Sequence, residues 1–264
     1  MKIVVCVKYV PDASADQKFE SDLTVDRAAV PGLLSELDEY AVEQSLQIKE
    51  KSENPDDVEV VALSIGPAEA ADAVRKALQM GADSGILVSD DSIAGSDALA
   101  TSKVLAAAVQ KVGDADLVVC GMASTDGGMS VVPAMLAERL DLPQVTLGSV
   151  VEFQGDQFRI KRDGDVATEI IGATAPLVLS VTDQSGEARY PSFKGIMAAK
   201  KKPLDTWSLG DVGVDAGEVG LSAAWTSVES ADARPPRTQG EIVTDEGGSG
   251  ANALVEFLAS KKFI

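Results

Sequence analysis

Five short apolar runs constrain this chain more than anything else in it. They are Ile3-Val4-Val5-Cys6-Val7, residues 58–64, Ile86-Leu87-Val88, Leu117-Val118-Val119-Cys120 and residues 176–182. Continuous, β-branched runs of this length suit strands covered on both faces, as in a parallel sheet. The first four are separated by stretches of helical length. In residues 35–51, Leu37, Tyr40, Ala41, Leu46 and Ile48 fall at broadly helical spacing, with Ser or Asp available as N-cap. Residues 68–80 lie between Pro67 and Gly81, a proline at the first turn and a glycine at the C-cap. A third helix is expected from a cap at Ser96 or Asp97 to about Val112. Strand and helix alternating at these lengths require right-handed crossovers, so the expected fold is α/β, a doubly wound, mostly parallel, Rossmann-like sheet.

Such a fold is compatible with many functions, and composition removes several. With 42 acidic against 23 basic residues the formal charge is −19, a surface that would repel a phosphate backbone, so nucleic acid is not an expected partner. There is no histidine, which excludes histidine general bases, triads and histidine-metal sites. The two cysteines, Cys6 and Cys120, each sit inside an apolar run and read as core thiols, and two separated cysteines cannot build a structural zinc site. Residues 3–7 are too short for a signal h-region, and no run approaches the ~20 apolar residues needed to span a bilayer. The expectation is a cytoplasmic chain without direct membrane insertion, and not an enzyme of the usual hydrolytic kinds.

The loop after the fourth strand is the best nucleotide-site candidate on chemistry alone. It reads Gly121-Met122-Ala123-Ser124-Thr125-Asp126-Gly127-Gly128-Met129-Ser130 and leads into an expected helix at 131–140. In doubly wound sheets ligands lie beyond the carboxyl ends of the strands, and a glycine-rich turn opening a helix offers backbone N–H groups to an anion. An ordinary strand-to-helix turn would use the same glycines, since the loop matches neither GxxxxGK[ST] nor GxGxxG. Beyond Pro143, Val145-Thr146-Leu147, Val150-Val151-Glu152-Phe153 and Phe158-Arg159-Ile160-Lys161-Arg162 alternate like antiparallel strands, with a turn at Gly155-Asp156 and Glu169-Ile170-Ile171 available to pair. They read as a β-rich elaboration of the same domain.

Residues 188–203 are locally unlike the rest of the chain. Five basic residues, Arg189, Lys194, Lys200, Lys201 and Lys202, surround Tyr190, Phe193, Ile196 and Met197 between Pro191 and Pro203. Apolar groups displayed beside positive charge suggest a docking surface, with a solvated linker as the plain alternative. From Leu204 to Gln239 the chain is rich in Gly, Asp, Ser and Pro, with sparse apolar residues at Leu209, Val212, Val214, Leu221 and Trp225. An arm that crosses another surface has this composition, and so does a tail. A last helix is expected around Ala253-Leu254-Val255 and Phe257-Leu258, its basic end at Lys261-Lys262. The chain thus divides into residues 1–203, an α/β nucleotide-binding domain including a docking loop at 184–203, and residues 204–264, the arm and terminal helix.

The chain resembles the small (beta) subunit of electron-transfer flavoproteins over essentially its whole length. The residues that carry the resemblance are Val7-Lys8 before Pro11-Asp12, Asp38-Glu39-Tyr40-Ala41-Val42-Glu43, Ser64-Ile65-Gly66-Pro67, Leu78-Gln79-Met80-Gly81-Ala82-Asp83, Asp126-Gly127, and Arg189-Tyr190 with Gly195-Ile196-Met197-Ala198-Ala199-Lys200-Lys201-Lys202. The resemblance implies a heterodimer with a large (alpha) subunit that holds most of one FAD. It also implies flavin dehydrogenases, such as acyl-CoA dehydrogenases, as electron donors, a quinone reductase or other acceptor, and AMP bound structurally by a small subunit without catalytic residues.

Carried over by position, AMP contacts would fall on Cys6, Val7, Ser35, Glu36, Leu37, Asp38, Ile65, Gly121, Ala123, Ser124, Thr125, Asp126, Gly127, Gly128, Met129, Ser130, Val131 and Val132. Leu37 and the loop around Ala13 would approach the flavin only peripherally. The docking loop would present Arg189, Tyr190, Phe193, Lys194, Ile196 and Met197, with Phe193 where a leucine usually anchors. Ala123-Ser124-Thr125 and Ser35-Glu36 depart from the common Gln-Ala-Ile and Asn-Pro, which bears on individual side-chain contacts and not on the backbone cradle. Two further readings are a member with a second FAD in the AMP site and a free-standing adenine-nucleotide module of the stress-protein or ATP-pyrophosphatase type.

Overall fold

The computed structural model describes residues 1–232, 235 and 240–264. A seven-stranded sheet forms its centre, built from β1 (Lys2–Cys6), β4 (Glu59–Ile65), β5 (Ser84–Val88), β6 (Leu117–Gly121), β7 (Gln144–Gly148), β11 (Leu177–Val181) and β12 (Leu204–Trp207). Their spatial order is β12-β5-β4-β1-β6-β11-β7, and all neighbours run parallel. Every residue of β6 and β11 is buried, as expected for central strands covered on both faces. Two short strands, β2 (Tyr9–Pro11) and β3 (Gly32–Leu34), pair antiparallel beside the sheet.

The helices begin and end where local chemistry lets them. Helix α1 (Glu36–Lys51) has Glu36, Asp38 and Glu39 in its first turn and Lys49 and Lys51 in its last, complementing its dipole at both ends. Helix α2 (Ala71–Met80) follows a short turn after Pro67 and stops at Gly81, whose φ of 148° is open to glycine and strained for other residues. Asp97 caps α3 (Ala98–Val112), accepting from Ala100 N–H at 3.0 Å. Helix α4 (Val132–Leu140) completes the set on the sheet.

Two cores result, one on each face. Ala41, Val42, Leu46 and Ile48 of α1 and Ala73, Val74, Ala77 and Leu78 of α2 pack on one side of the sheet with Phe158 and Ile160. Val104, Leu105, Ala108 and Val109 of α3 and Leu136 of α4 pack on the other, joined by Cys6 and Cys120. Both cysteines are buried and unpaired. Among the described residues no helix is long and apolar enough to cross a membrane.

The structure corrects the sequence reading in three places. Residues 145–147 do not join the antiparallel set: β7 lies parallel to β11 at the edge of the main sheet, and its alternation reflects that half-covered position. The antiparallel meander is instead β8 (Val150–Gln154), β9 (Gln157–Asp163) and β10 (Thr168–Thr174), turning at Gly155 with φ 60°. Helix α4 begins at Val132, one residue after the expected start at 131.

The third correction concerns residue 204 onward. Here the chain adds strand β12 beside β5 and buries Leu209, Val214 and Val219 in the α3-side core. Lys111 of α3 fastens the same segment, donating to Asp211 O at 2.7 Å with its ammonium 4.6 Å from the Trp207 ring centroid. The compact unit therefore spans Met1–Glu229, and the second unit is Ser230–Ile264. Residues 233, 234 and 236–239 of the expected arm lie outside the described residues. In the second unit Asp245 accepts from Gly248 and Gly250 N–H ahead of helix α6 (Ser249–Ser260), no residue of which is buried.

Candidate functional site

The sheet reverses its winding between β1 and β6. Chain leaves β1 for α1 and β4 on one side and returns through α3 to β6 on the other, which opens a crevice at the carboxyl ends of these two strands. Three segments meet there: residues 6–8, the first turn of α1, and the loop after β6. Gly121 closes the strand end against α1, where an added Cβ would come within 2.7 Å of both Asp38 Oδ1 and Leu37 O. Thr125 N–H donates to the buried Ser35 hydroxyl at 3.3 Å, so Ser35 ties the loop to the helix instead of capping its own first turn.

Asp38 holds the floor of the crevice. Its carboxylate accepts from Lys8 N–H at 2.9 Å and lies beside the Gly121 backbone. Burial pushes its pKa up to about 7, against the Lys8 N–H bond, the Lys8 charge and the nearby Gly121 backbone N–H, with the charge of Asp126 raising it further. A carboxyl whose folded pKa exceeds its unfolded value stabilises the fold fully below about pH 4 and loses that contribution as pH rises through 7. Asp38→Asn is accordingly expected to flatten the fall of melting temperature between pH 5 and 8, by about 3 °C across the window, in scanning calorimetry. An unchanged slope would remove Asp38 as its source.

Asp126 is the second carboxylate of the site and behaves oppositely. Its side chain is 2% exposed and pairs with Lys8 Nζ at 2.9 Å and Arg27 at 2.7 Å. Burial works against ionisation, and the charge and hydrogen bond of Lys8, with Ser124 and Arg27, outweigh it and hold Asp126 well below the usual carboxylate range. It also accepts from Gly127 N–H at 2.7 Å and so sets the loop's own shape. The Cys120 thiol is pushed well above its ordinary range by the Cys6 thiol beside it and by burial, and is therefore no thiolate nucleophile.

The glycine-rich turn suits an anion. Among the described residues no protein group accepts from the backbone N–H of Met129, Ser130, Val131 or Val132 at the start of α4. A Cβ on Gly127 would meet only Ser124 Oγ, at 3.3 Å, and one on Gly128, at φ 61°, would meet nothing within 4 Å. The space before the helix is thus kept clear by two residues without side chains, with Lys8 and Arg27 beside it. A phosphate fits this donor set. If a nucleotide phosphate occupies this space, Gly127→Val is expected to lower the nucleotide recovered from denatured protein at least tenfold by filling it, with a melting curve to show that the variant, whose Cβ meets Ser124 Oγ at 3.3 Å, remains folded. Equal nucleotide in variant and wild type would displace the site.

On the same side of the sheet as α1 and α2, residues 188–202 form an exposed face on a fixed base. Helix α5 (Phe193–Ala199) is capped by Ser192, which accepts from Gly195 N–H at 3.0 Å. Gly195 lies against the end of α2, where a Cβ would sit 2.5 Å from Gln79 O. Lys202 donates to Leu78 O, Gly81 O and Ala82 O, capping α2. Arg189 donates to Glu43 and Glu50 of α1. Between these points Tyr190 is 93% and Phe193 81% exposed, with Ile196 and Met197 also exposed.

A family profile described as "Electron transfer flavoprotein domain" matches residues 22–212. The chain is similar to "Electron transfer flavoprotein subunit beta" of Mycobacterium tuberculosis, 43% identical over 265 residues and 99% of each chain. It is 36% identical over 265 residues, all of both chains, to the protein of that name in Thermoanaerobacterium thermosaccharolyticum. It is 34% identical over 261 residues, 99% of this chain and 97% of the other, to "Caffeyl-CoA reductase-Etf complex subunit CarD" of Acetobacterium woodii. The chain belongs to the electron transfer flavoprotein family, among its beta subunits. As such it serves electron transfer as a carrier subunit and not as an enzyme with a catalytic centre of its own.

The residues proposed from sequence for this family member's nucleotide site are unequally placed. Ser35, Leu37, Asp38, Gly121 and the loop at 123–131 converge on the crevice, with Glu36 exposed at its side and Val132 opening α4. Cys6 and Val7 turn their side chains into opposite cores and bring only backbone to the edge, where Val7 N–H already donates to Leu63 O at 2.8 Å. Ile65 ends β4 and packs toward the α3 side. Sequence reasoning missed Lys8 and Arg27. Lys8 follows directly on the first apolar run, at the carboxyl end where a ligand is expected, and that position was its signal. Arg27, in an irregular polar segment, had none. Of the expected docking residues, Tyr190, Phe193, Lys194, Ile196 and Met197 face outward, and Arg189 is turned onto α1.

Proposed function

We propose that this chain is the beta subunit of a heterodimeric electron-transfer flavoprotein in the cytoplasm. It binds AMP structurally in the crevice between β1 and β6 and shares one FAD with a large subunit that holds most of it. Electrons come from flavin dehydrogenases such as acyl-CoA dehydrogenases and leave to a quinone reductase or other acceptor. The observation that carries the nucleotide assignment is the clear space before α4, with its unpartnered N–H groups and the Lys8 and Arg27 cations. Partnership is supported by the second unit, whose helix α6 buries none of its residues, and by the exposed aromatic face at Tyr190 and Phe193. In this reading Ser35, Asp38 and the loop at 123–132 hold the nucleotide and its phosphate, and the flavin supplies the electron chemistry.

The test is co-expression with the large subunit followed by quantitation of nucleotides after denaturation. One AMP and one FAD per heterodimer are expected. Two FAD and no AMP would mean a second flavin in the crevice, and a colourless monomer that recruits no large subunit would mean a free-standing nucleotide module.

A further inference from the structure

We infer that Arg189 is a positioning residue, pinned across Glu43 and Glu50 of α1 to hold the docking face in place, and not a charge offered to the electron donor. The inference rests on the docking reading proposed above. Helix α5 has only seven residues, too few to be stable by itself, so its place must come from outside points of attachment. Gly195 and Lys202 attach its middle and its far end to α2. At the near end, next to Tyr190 and four residues from Phe193, the strong attachment is Arg189. Its Nε donates to Glu43 Oε2 at 2.6 Å, and its two terminal nitrogens reach Glu43 Oε1 and both oxygens of Glu50. Arg189 N–H adds a bond to Glu43 Oε2 at 3.1 Å.

Glu43 and Glu50 lie two turns apart on one face of α1, and Glu43 is 7% exposed. A planar guanidinium can hold each of two such carboxylates through paired N–H donors in a fixed fork, whereas an ammonium, a compact point charge, offers no such bidentate geometry. Burial opposes ionisation of Glu43, and Arg189 together with the Gln47 amide more than offsets it, leaving its carboxyl below the ordinary range. Arg189 thus faces two negative charges of its own subunit, and its field toward an approaching acidic partner is largely cancelled. Lys194, Lys200 and Lys201, exposed and without acidic partners within salt-bridge distance among the described residues, are the cations left to steer.

Opposite signs separate the two roles. Glu50→Gln makes this region more positive, so a steering arginine predicts tighter use of an acidic donor, and a positioning arginine predicts weaker use. In the intact heterodimer, with rates read by stopped flow against donor concentration, Glu50→Gln is expected to raise the half-saturating concentration about threefold, and Arg189→Met about tenfold, without lowering the saturating rate. Because Glu50 is exposed, its variant folds even if Arg189→Met, which strands Glu43, proves unstable. Combining Arg189→Met with Phe193→Ala should cost little more than Phe193→Ala alone, since both act through one face. A Glu50→Gln variant that is unchanged or tighter, or effects of Arg189→Met and Phe193→Ala that multiply, would overturn the positioning role while leaving the docking face intact. If Phe193→Ala alone changes nothing, the docking reading falls and this inference with it.

Discussion

A chain ending at Glu229 is expected to keep its α/β fold and its melting temperature, and to lose its large subunit. The removed unit, Ser230–Ile264, exposes Leu254, Val255, Phe257, Phe263 and Ile264. Apolar groups gathered this way bury against a partner. Covering them is worth about 5 kcal/mol after ordering costs, or more than a thousandfold in affinity. Size-exclusion chromatography of the co-expressed pair reads the outcome, and a truncated chain that still elutes with its large subunit would show that the arm is only a tail. A cut at Pro203 behaves differently. It removes β12 and strips Leu209, Val214 and Val219 from the core. Three buried side chains of this size contribute roughly 5 kcal/mol or more, comparable to the whole stability of many domains. Such a chain should be recovered unfolded or aggregated, so its failure to bind would say nothing about the arm.

On the proposed docking reading, replacing Phe193 by alanine should weaken capture of a donor dehydrogenase about thirtyfold, the loss of roughly 2 kcal/mol typical of an aromatic anchor. With 81% of its surface exposed, Phe193 contributes little to its own subunit. Melting temperature and the content of any bound nucleotide and flavin should therefore stay at wild-type values while the half-saturating donor concentration climbs. Added salt should weaken the encounter further by screening Lys194 and its neighbours, without changing the size of the Phe193 effect. Donor titrations that superimpose for the two proteins would take this face out of donor recognition.

The central strands were legible because their chemistry is local. Ile3-Val4-Val5, Leu117-Val118-Val119 and Leu177-Val178-Leu179 are buried on both faces, and a short continuous apolar run suits hardly any position but the middle of a covered sheet. Edge strands carry a weaker signal. Gln144–Gly148 alternates in the antiparallel manner because only part of it is covered, and Leu204–Trp207 has a single partner strand and a charged residue at Asp205. Leu209 and Val214 read as arm residues, and Val219 gives no signal, because their spacing follows no period. They meet a core that earlier elements built, which only the tertiary fold provides. The crevice was legible in its loop and in its place on the sheet. The pairing of Asp126 with Arg27, and of Arg189 with Glu43, joins residues 99 and 146 positions apart, and no local pattern announces such contacts.

The two margins of the main sheet have a bearing on how this protein meets others. One margin is β12, four residues long and entered through Pro203; the other is β7, five residues long, entered through Pro143, with Leu147 at φ 63° and a register slip against β11. Short, interrupted margins of this kind give an incoming chain little to template on, which disfavours edge-to-edge growth into fibrils and intermolecular strand addition. Association is thereby left to side chains on loops and helices, where contacts can form and release without splicing the sheet of one chain into that of another.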